Sequence, residues 1–420
     1  MIVYKFGGAS LKDYHSVMEV KEIIKTNRGD EMIIVVSAMG KTTNLLEEIF
    51  LNHTQQQNST EELIGKLYGY HLEISHHLFS NRSHPIFNII NDLIQELKMF
   101  LMISQGQPAD HIYDGIVVFG ELFSSKILSA YLEQEGILNQ WLDARSIIKT
   151  DSRHKNANID WDLTSSEINH QYKNRKYNIL LTQGFIGSSA DNITTTLGRE
   201  GSDYTAAIIS FCLDAEKVVI WKDVPGVYNA DPKSYKEAVL IPELSYYDAI
   251  EMTYYGATVI HPKTIKPLQN KKIPLFVKSF LEPESSGTVI RESYLPQMIP
   301  TYVHKTEQIL ISIIPHDFSF VAEENLKDIF ECLTLLKIRV NLMQLTALNF
   351  VICVDLSMDL IKELSDNLGK RYSIKYNANC SLLTIRHFNE KLIKELSSEK
   401  EILLEQRSRQ NIQLVLRDKI

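Results

Sequence analysis

A glycine-rich segment in the middle of the chain carries the residues best suited to binding an anion. Residues 198–207 read GREGSDYTAA, and an apolar helical run from Ala206 to Leu213 begins within them. A glycine loop that opens a helix presents free backbone N–H groups and the positive end of the helix dipole. Arg199 can hold a carboxylate or phosphate by two hydrogen bonds, and Asp203 adds a fixed negative charge. The segment suits a small anionic substrate, and it is not a Walker A loop because no Gly-Lys-Ser/Thr closes it.

A second glycine turn follows a short apolar strand at the start of the chain, which reads MIVYKFGGAS. Gly7 and Gly8 let the backbone approach a ligand closely, because neither has a Cβ. Lys5 lies at the end of the strand, where open α/β sheets bind their ligands, and its ammonium group can bridge phosphates. Taken alone, this turn is equally compatible with a lysine at a strand end beside an ordinary turn.

Strands and helices alternate behind these segments over the first 290 residues. The alternation predicts an α/β fold with a mainly parallel sheet sandwiched by helices. Residues 52 to about 107 show helical stripes between polar loops and are interpreted as a helical excursion from that sheet. Strands are expected at Met32–Val36, Gly115–Phe119, Asn178–Ile186, Lys217–Trp221 and Pro274–Val277. Helices are expected at Leu122–Leu132 and at Tyr246–Tyr255, the latter capped by Ser245.

The character of the sequence changes near residue 300. Ser293 to Thr306 holds two prolines and no periodicity, as linkers do. A β-α-β-β-α-β order, which is ferredoxin-like, follows it and is continued by a second, shortened cycle. We therefore expect one domain at 1–292 and a second region at 307–420. Its strands are expected at Ile309–Ile314, Val340–Leu345, Phe350–Leu356, Tyr372–Tyr376, Leu382–Arg386, Ile402–Glu405 and Gln413–Leu416, and its helices at Glu323–Leu336, Asp359–Leu368 and Asn389–Leu396.

Composition excludes several classes of protein. The 420 residues carry a formal net charge of −8, so the positive footprint of a nucleic-acid-binding protein is missing. The four cysteines are widely spaced and form no CxxC pair, which argues against a zinc site and a disulfide framework. We read no room for a signal peptide before the first strand and no apolar run of the roughly 18 residues that a membrane helix needs. A cytoplasmic protein without membrane or nucleic-acid partners is the expectation.

Six segments, in order and with similar spacing, resemble the aspartate kinase family. They are KFGGAS at 5–10, VVSAMGKTTNLL at 35–46, FGE at 119–121, TQGFIG and TTTLGREGSD within 182–203, WKDVPGVYNADPK at 221–233, and YGATVIHPK at 255–263. The resemblance implies an amino-acid-kinase-type fold followed by ferredoxin-like ACT units. It also implies transfer of the ATP γ-phosphoryl group to the side-chain carboxylate of L-aspartate. The product, 4-phospho-L-aspartate, begins lysine, threonine and methionine biosynthesis.

The resemblance also implies roles for individual residues. Lys5 would neutralise charge on the transferring phosphoryl group, and Asp203 would orient Lys5. L-Aspartate would be bound by Thr43, Glu121, Arg199 and Ser202. The nucleotide would contact Lys5, Gly7, Gly8, Lys222, Asp223, Tyr228, Lys233 and Thr258. Mg²⁺ would travel with ATP, held by phosphates and water, and no protein ligand for a metal is assigned.

Simpler interpretations exist for three of these residues. Glu121 and Asp203 could be acids in the first turn of a helix, favoured by its dipole, and Thr43 could be a helix N-cap. The sequence also departs from the family pattern at Ala9, Glu200, Tyr204 and Thr258. The change at Thr258 puts a nucleotide contact in doubt. Because Lys5, Glu121, Arg199, Ser202 and Asp203 are all present, we expect an active enzyme.

The C-terminal region differs from the usual effector-binding pattern of the family. The loop expected to hold an effector spans residues 316–324 and contains no glycine, although Asn341 and Gln344 could offer side-chain contacts. Our hypothesis is that these units serve mainly in homodimerisation, with feedback inhibition weak or absent. Two alternative functions stay open: another amino-acid kinase, such as a glutamate kinase, and a catalytically silent regulatory partner. A bifunctional kinase and dehydrogenase is not expected, because no GxGxxG occurs.

Overall fold

The computed structural model describes residues 1–27, 29–57, 59–257, 260–293 and 299–419. The chain forms two compact units. The first comprises Met1–Val227, Leu240–Ile250 and Val259–Tyr294, and the second comprises Tyr228–Val239, Glu251–Thr258 and Leu295–Ile420. Each unit is described by itself below.

Eight strands form the central sheet of the first unit, and three more form a small second sheet. In chain order the strands are β1 Ile2–Phe6, β2 Met32–Val36, β3 Gln140–Leu142, β4 Lys149–Thr150, β5 Ile179–Gln183, β6 Ile186–Ser189, β7 Thr194–Thr196, β8 Lys217–Lys222, β9 Glu243–Ser245, β10 Leu275–Ser279 and β11 Thr288–Arg291. The central sheet has the order β3-β5-β2-β1-β8-β10-β11-β9. Its pairs are parallel except for β10 with β11.

The central strands β1, β2 and β5 are buried along their whole length. Continuous apolar runs of this kind occur where helices cover both faces of a parallel sheet. The helices between the strands of this unit in the chain are α1 Tyr14–Thr26, α2 Thr42–Thr54, α3 Thr60–Leu78, α4 Ile86–Ile103, α5 Ala109–Gln134, α6 Ala144–Ile147, α7 Trp161–Lys173, α8 Gly201–Cys212, α9 Tyr246–Tyr255 and α10 Pro262–Lys271. The residues of α9 from Glu251 onward group with the second unit. The predicted α/β class is confirmed, and α3 and α4 lie within the segment that was expected to form a helical excursion.

One predicted strand is wrong. Gly115–Phe119 lies inside α5, a single helix of 26 residues that also contains the predicted helix Leu122–Leu132. The segment is apolar on all sides because the helix is buried in the core, and a short apolar run does not distinguish a strand from a buried helix. By length and composition α5 could also cross a membrane, contrary to our expectation, but 89% of its most apolar window is buried within the protein.

A second correction concerns the predicted strand Asn178–Ile186. The chain forms two strands there, because β5 ends at Gln183 and β6 begins at Ile186. A Cβ on the intervening Gly184 would lie 2.4 Å from the Cβ of Ser202, and Phe185 has a φ of 70°. The break therefore allows the first turn of α8 to pack directly against the backbone between the strands.

The second unit contains a six-stranded antiparallel sheet in the order β13-β14-β12-β15-β17-β16. Its strands are β12 Thr301–Pro315, β13 Val340–Leu345, β14 Phe350–Asp355, β15 Tyr372–Arg386, β16 Lys400–Arg407 and β17 Asn411–Asp418, and its helices are α11 Glu323–Leu335, α12 Met358–Leu368 and α13 Glu390–Ser397. One core lies around Ile311, Phe350 and Leu364, and another lies around Ile385 and Ile412.

The two predicted ferredoxin-like cycles share this one sheet. β15 unites the predicted strands Tyr372–Tyr376 and Leu382–Arg386, and it pairs with β12 from Thr301 to Pro315. Thr301–Thr306 is therefore strand and not linker, while residues 294–298 of the predicted linker lie outside the described part of the chain. The sequence did not show that these are single long strands. The pairing of β12 with β15 is irregular between Lys305 and Gln308, and such an irregularity interrupts the alternation of buried and exposed residues by which a strand is recognised.

We expect Gly115→Ala to destabilise the protein by about 1–3 kcal/mol, as overpacked cores do. A Cβ at this position would lie 2.0 Å from the Phe100 ring, which would have to leave its contact with α5. The measurement is the midpoint of urea unfolding. Gly69→Ala is the matched control, because Gly69 lies inside α3 and a Cβ there would meet no atom within 4 Å. That variant should be more stable than the wild type by roughly 0.5–1 kcal/mol, and equal shifts in both variants would refute the packing argument.

Candidate active site

A buried ion pair lies at the carboxyl ends of two neighbouring strands. Lys5 of β1 places its Nζ 2.7 Å from Oδ1 of Asp203, which belongs to the first turn of α8. Lys222, the last residue of β8, places its Nζ 4.0 Å from Oδ2 of the same carboxylate. Asp203 is completely buried and Lys5 is 7% exposed. One carboxylate therefore organises two cations at the edge where parallel sheets bind ligands.

The charge state of Asp203 follows from this arrangement. Burial raises the pKa of a carboxyl group, but the positive charges of Lys5 and Lys222 outweigh burial and hold the pKa of Asp203 below its usual value. Asp203 is thus an anion at neutral pH. Its role is electrostatic, since a group already paired with two ammonium groups is a poor proton acceptor.

The first glycine turn packs against the loop that precedes α2. A Cβ on Gly8 would lie 2.8 Å from the carbonyl oxygen of Ala38, and the Gly40 N–H donates to the Gly8 carbonyl over 3.0 Å. A Cβ on Gly7 would lie 3.4 Å from Nζ of Lys5. The absence of a side chain at Gly8 lets two backbone segments pack closely. The absence of a side chain at Gly7 leaves space beside the ammonium group of Lys5.

The second glycine segment forms a tight turn into α8. Gly198 has a φ of 77° and Glu200 a φ of 57°, and α8 begins at Gly201. The side chain of Glu200, the residue that precedes α8, makes no capping hydrogen bond, so the first N–H groups of the helix are not satisfied in that way. A left-handed conformation costs a residue with a Cβ about 1–2 kcal/mol. This conformation explains why the family pattern commonly has glycine where this chain has Glu200.

Glu121 projects from α5 into the same region and is 3% exposed. Its Oε1 accepts a hydrogen bond of 3.4 Å from the Ala38 N–H, whereas its Oε2 has no hydrogen-bond partner among the described residues. Burial raises the pKa of Glu121 to about 8, although the Ala38 bond and the Lys5 charge act in the opposite direction. A buried carboxyl group with one free oxygen is suited to receiving a cationic group of a ligand.

A cavity of about 580 Å³ brings the predicted substrate residues together. Its walls include Lys5, Thr43, Glu121, Arg199, Ser202 and Asp203. Thr43 lies in the first turn of α2 and is not its N-cap, which is Lys41. Glu121 lies in the middle of α5, so the alternative that it is a first-turn acid is wrong. Asp203 does lie in the first turn of α8, and it is also paired with Lys5 and Lys222.

Five residues that the sequence did not single out also line the cavity: Ser37, Glu47, Tyr113, Lys155 and Phe185. The Tyr113 hydroxyl donates to Oε1 of Glu47 over 2.7 Å, and the ammonium group of Lys155 lies 4.8 Å from the centre of the Tyr113 ring. Glu47 could have been found, because it follows Thr43 by one helical turn. Nothing in the sequence indicated Lys155, which reaches the cavity from a loop.

The predicted nucleotide residues are more dispersed. Lys222 is the last residue of β8, and Asp223, which follows it, is exposed. Tyr228 and Lys233 belong to Tyr228–Val239, which groups with the second unit, and Thr258 lies outside the described residues. Their part in nucleotide binding stays a prediction. In the described part of the chain, no three His, Cys, Asp or Glu side chains form a cluster that could hold a metal ion.

Comparison with known proteins identifies the family. Residues 1–279 match the model of the amino acid kinase family. Lysine-sensitive aspartokinase 3 of Escherichia coli is 30% identical over 329 residues, which cover 77% of this chain and 72% of that protein. The chain belongs to the amino acid kinase family, within its aspartokinases. The resemblance seen in the sequence is thereby confirmed.

Other proteins similar to this chain are also aspartokinases. A bifunctional aspartokinase/homoserine dehydrogenase of Arabidopsis thaliana is 32% identical over 294 residues, covering 69% of this chain. The chain spans about a third of the length of that relative and of two similar bifunctional enzymes from A. thaliana and Zea mays. A crystal structure of E. coli aspartokinase III with lysine and aspartate has a TM-score of 0.84 at 25% identity, covering 99% of this chain and 95% of that one. The predicted fold of both units is confirmed by this match.

Replacing Glu121 by Gln should change how stability depends on pH. Between the ordinary pKa of a glutamate, about 4.5, and its folded value of about 8, the folded protein holds a proton that the unfolded chain has lost. Stability from this proton is fully present below pH 4.5 and is lost as pH rises to 8. The free energy of unfolding of Glu121→Gln should therefore exceed that of the wild type by an amount that grows over this window, to on the order of a few kcal/mol.

The measurement is urea unfolding of both proteins at several pH values from 4.5 to 9. Glu48→Gln serves as the control, because it makes the same substitution at an exposed position of α2. A pH dependence no steeper for Glu121→Gln than for this control would mean that Glu121 has an ordinary pKa in the folded protein.

Proposed function

We propose that this protein is an aspartate kinase, which transfers the γ-phosphoryl group of ATP to the side-chain carboxylate of L-aspartate. The product is 4-phospho-L-aspartate, the first intermediate of lysine, threonine and methionine biosynthesis. The observation that carries the proposal is the Lys5, Asp203 and Lys222 cluster at the edge of the sheet. A further support is the solved E. coli aspartokinase III in complex with aspartate and ADP, which has a TM-score of 0.81 against this chain.

The cavity offers a complementary group for each charge of L-aspartate. The ammonium group would lie at the free Oε2 of Glu121, and its positive charge would favour the ionised form of that carboxyl group. Arg199 would bind the α-carboxylate by two hydrogen bonds. The hydroxyl groups of Thr43 and Ser202 would complete the contacts. The side-chain carboxylate is then directed toward Lys5.

The reaction needs no strong general base. The side-chain carboxylate of aspartate has an ordinary pKa of about 3.9 and is ionised at neutral pH. One of its oxygens attacks the γ-phosphorus of ATP, the bond from that phosphorus to the bridging oxygen breaks, and ADP leaves with the bond electrons. Lys5 neutralises the negative charge on the phosphoryl oxygens, and Asp203 holds its ammonium group in place. Positioning and charge account for most catalysis in phosphoryl transfer.

For the nucleotide, we propose contacts from Gly7, Gly8, Lys222, Asp223, Tyr228, Lys233 and Thr258. The glycine turn would present backbone N–H groups to phosphate oxygens, beside the ammonium group of Lys5. Mg²⁺ would arrive with ATP, and when bound it neutralises phosphate charge. It would be held by phosphates and water, because Asp203 is already paired with two lysines and no three His, Cys, Asp or Glu side chains of the described residues form a metal-binding cluster.

We further propose that residues 1–292 catalyse the reaction and that the ACT-like region 307–420 serves in homodimerisation. Phe318, Phe320 and Leu335 of the second unit are each more than 70% exposed, and each is an apolar side chain that a second copy could cover. Feedback inhibition is proposed to be weak or absent, and the protein is proposed to act in the cytoplasm. Loss of activity with lysine or threonine at millimolar concentration would contradict weak feedback.

The test is ATP turnover with L-aspartate, with hydroxylamine present to trap the acyl phosphate as a hydroxamate. The wild type should form aspartate-dependent hydroxamate. Lys5→Ala should lose at least roughly 100-fold in kcat, the usual cost of removing a group that stabilises transition-state charge. Lys66→Ala, a lysine that is paired with Glu62 on the surface of α3, is the control and should keep full activity.

The outcomes separate the competing functions. Hydroxamate with glutamate instead of aspartate would identify another amino-acid kinase. Nucleotide binding without hydroxamate from either substrate would favour a catalytically silent regulatory partner.

A further inference from the structure

Asp114 is a completely buried carboxylate that the proposed chemistry does not use. It lies on α5 and accepts hydrogen bonds from three other residues. Nδ1 of His154 donates over 2.8 Å, and the backbone N–H of Lys155 lies 3.1 Å from both oxygens. Thr196 donates through its hydroxyl over 2.7 Å and through its backbone N–H over 3.2 Å. One side chain thus ties a helix, a loop and a strand together.

The loop and the strand are also attached to each other. The Ala157 N–H donates to the Thr196 carbonyl over 2.9 Å. A Cβ on Gly198 would lie 2.9 Å from Oδ1 of Asn156, so the loop packs directly against the backbone of the glycine segment. Residues 154–158 and 194–198 are therefore held together by these contacts, and the hydrogen bonds to Asp114 attach both segments directly to α5.

Both attached segments lead into the cavity. Thr196 ends β7, three residues before Arg199, and the side chain of Lys155 lines the cavity wall. On the other side of the link, α5 carries Glu121, which follows Asp114 by two helical turns and so lies on the same face of the helix. Asp114 therefore joins the helix that carries Glu121 to the segment that leads to Arg199. Glu121 and Arg199 are the groups proposed to bind the ammonium group and the α-carboxylate of the substrate.

A buried carboxylate is a costly way to hold a fold together. Burial raises the pKa of Asp114, and the hydrogen bonds from Thr196, His154 and Lys155 only oppose this effect. An apolar side chain of similar volume would pack a core at least as well. What a carboxylate adds is direction, because its two oxygens fix the donors of both segments at defined distances.

We propose that Asp114 is a positioning residue for the substrate-binding end of the cavity. It holds the Arg199 segment and Lys155 at a fixed distance from Glu121, so that the amino and carboxylate groups of the substrate are bound together. The identity of the substrate in this statement rests on the proposed function, whereas the attachment of the two segments to α5 does not.

The test variant is Asp114→Asn, which keeps the size of the side chain but turns one acceptor into a donor facing other donors. We expect KM for L-aspartate to rise by roughly tenfold or more, because small misplacements of substrate-binding groups have large effects. KM for ATP should change less than about twofold, since the Lys5 and Lys222 cluster does not touch Asp114. A structural defect alone would lower the amount of active enzyme, and thus kcat, without this split.

Asp151→Asn is the matched control. Asp151 lies in the same loop and accepts hydrogen bonds from Asn158 and the Arg153 N–H, yet none of its hydrogen bonds joins the loop to α5. Its KM for aspartate should stay at the wild-type value. Thr196→Val removes a single hydroxyl bond to Asp114 and should give an intermediate KM, which keeps the test available if Asp114→Asn does not fold.

Hydrogen exchange of the unliganded proteins provides a readout independent of substrate. The amides of residues 154–158 and 194–200 should exchange faster in Asp114→Asn than in the wild type, with β1 and β2 unchanged. If these amides exchange faster in the variant but the wild type does not phosphorylate aspartate, the proposed function is wrong and the attachment of the two segments to α5 by Asp114 is still supported. Unchanged exchange in these segments, or equal increases of KM for aspartate and ATP, would overturn the role of Asp114.

Discussion

The buried ion pair between Lys5 and Asp203 is the interaction on which the rest of the site depends. A buried charge is tolerated only when it is paired, and each of these two residues satisfies the other at 2.7 Å. Because Asp203 lies in the first turn of α8 and Lys5 is the penultimate residue of β1, the pair also joins the start of the helix to the carboxyl end of the strand. The glycine segment before α8 and the glycine turn after β1 are thereby held close to the Lys5–Asp203 ion pair.

The parallel sheet makes this pairing possible. β1 lies between β2 and β8, and Phe6 stands beside Trp221, so Lys5 and Lys222 reach the same edge from neighbouring strands. Residues more than two hundred positions apart in sequence thus act on one carboxylate. Close packing at Gly8 and Gly184 completes the arrangement, since side chains there would separate the backbone segments that carry the site.

The α5 helix supplies the opposite wall and connects binding to the fold. It is buried along most of its length, and it presents Glu121 to the cavity and Asp114 to the segments beside it. A rigid core helix is a suitable support for such groups, because its side chains keep fixed spacing when loops move. The exposed Arg199, in contrast, depends on its neighbours for position.

The sequence by itself determined the α/β class, the family, most helices and strands, and six residues that the fold brings together in one cavity. These follow from local patterns: apolar periodicity, glycine turns, and motifs whose chemistry requires particular residue types. The tertiary structure alone decided that Gly115–Phe119 is helix, because burial on all sides removes the periodicity that separates helix from strand. It alone joined β12 and β15 into one sheet, and it alone brought Tyr113 and Lys155 to the cavity wall and Asp114 to the segments beside the cavity. Contacts between distant segments carry no local signature, since they depend on how the chain packs and not on which residues are adjacent.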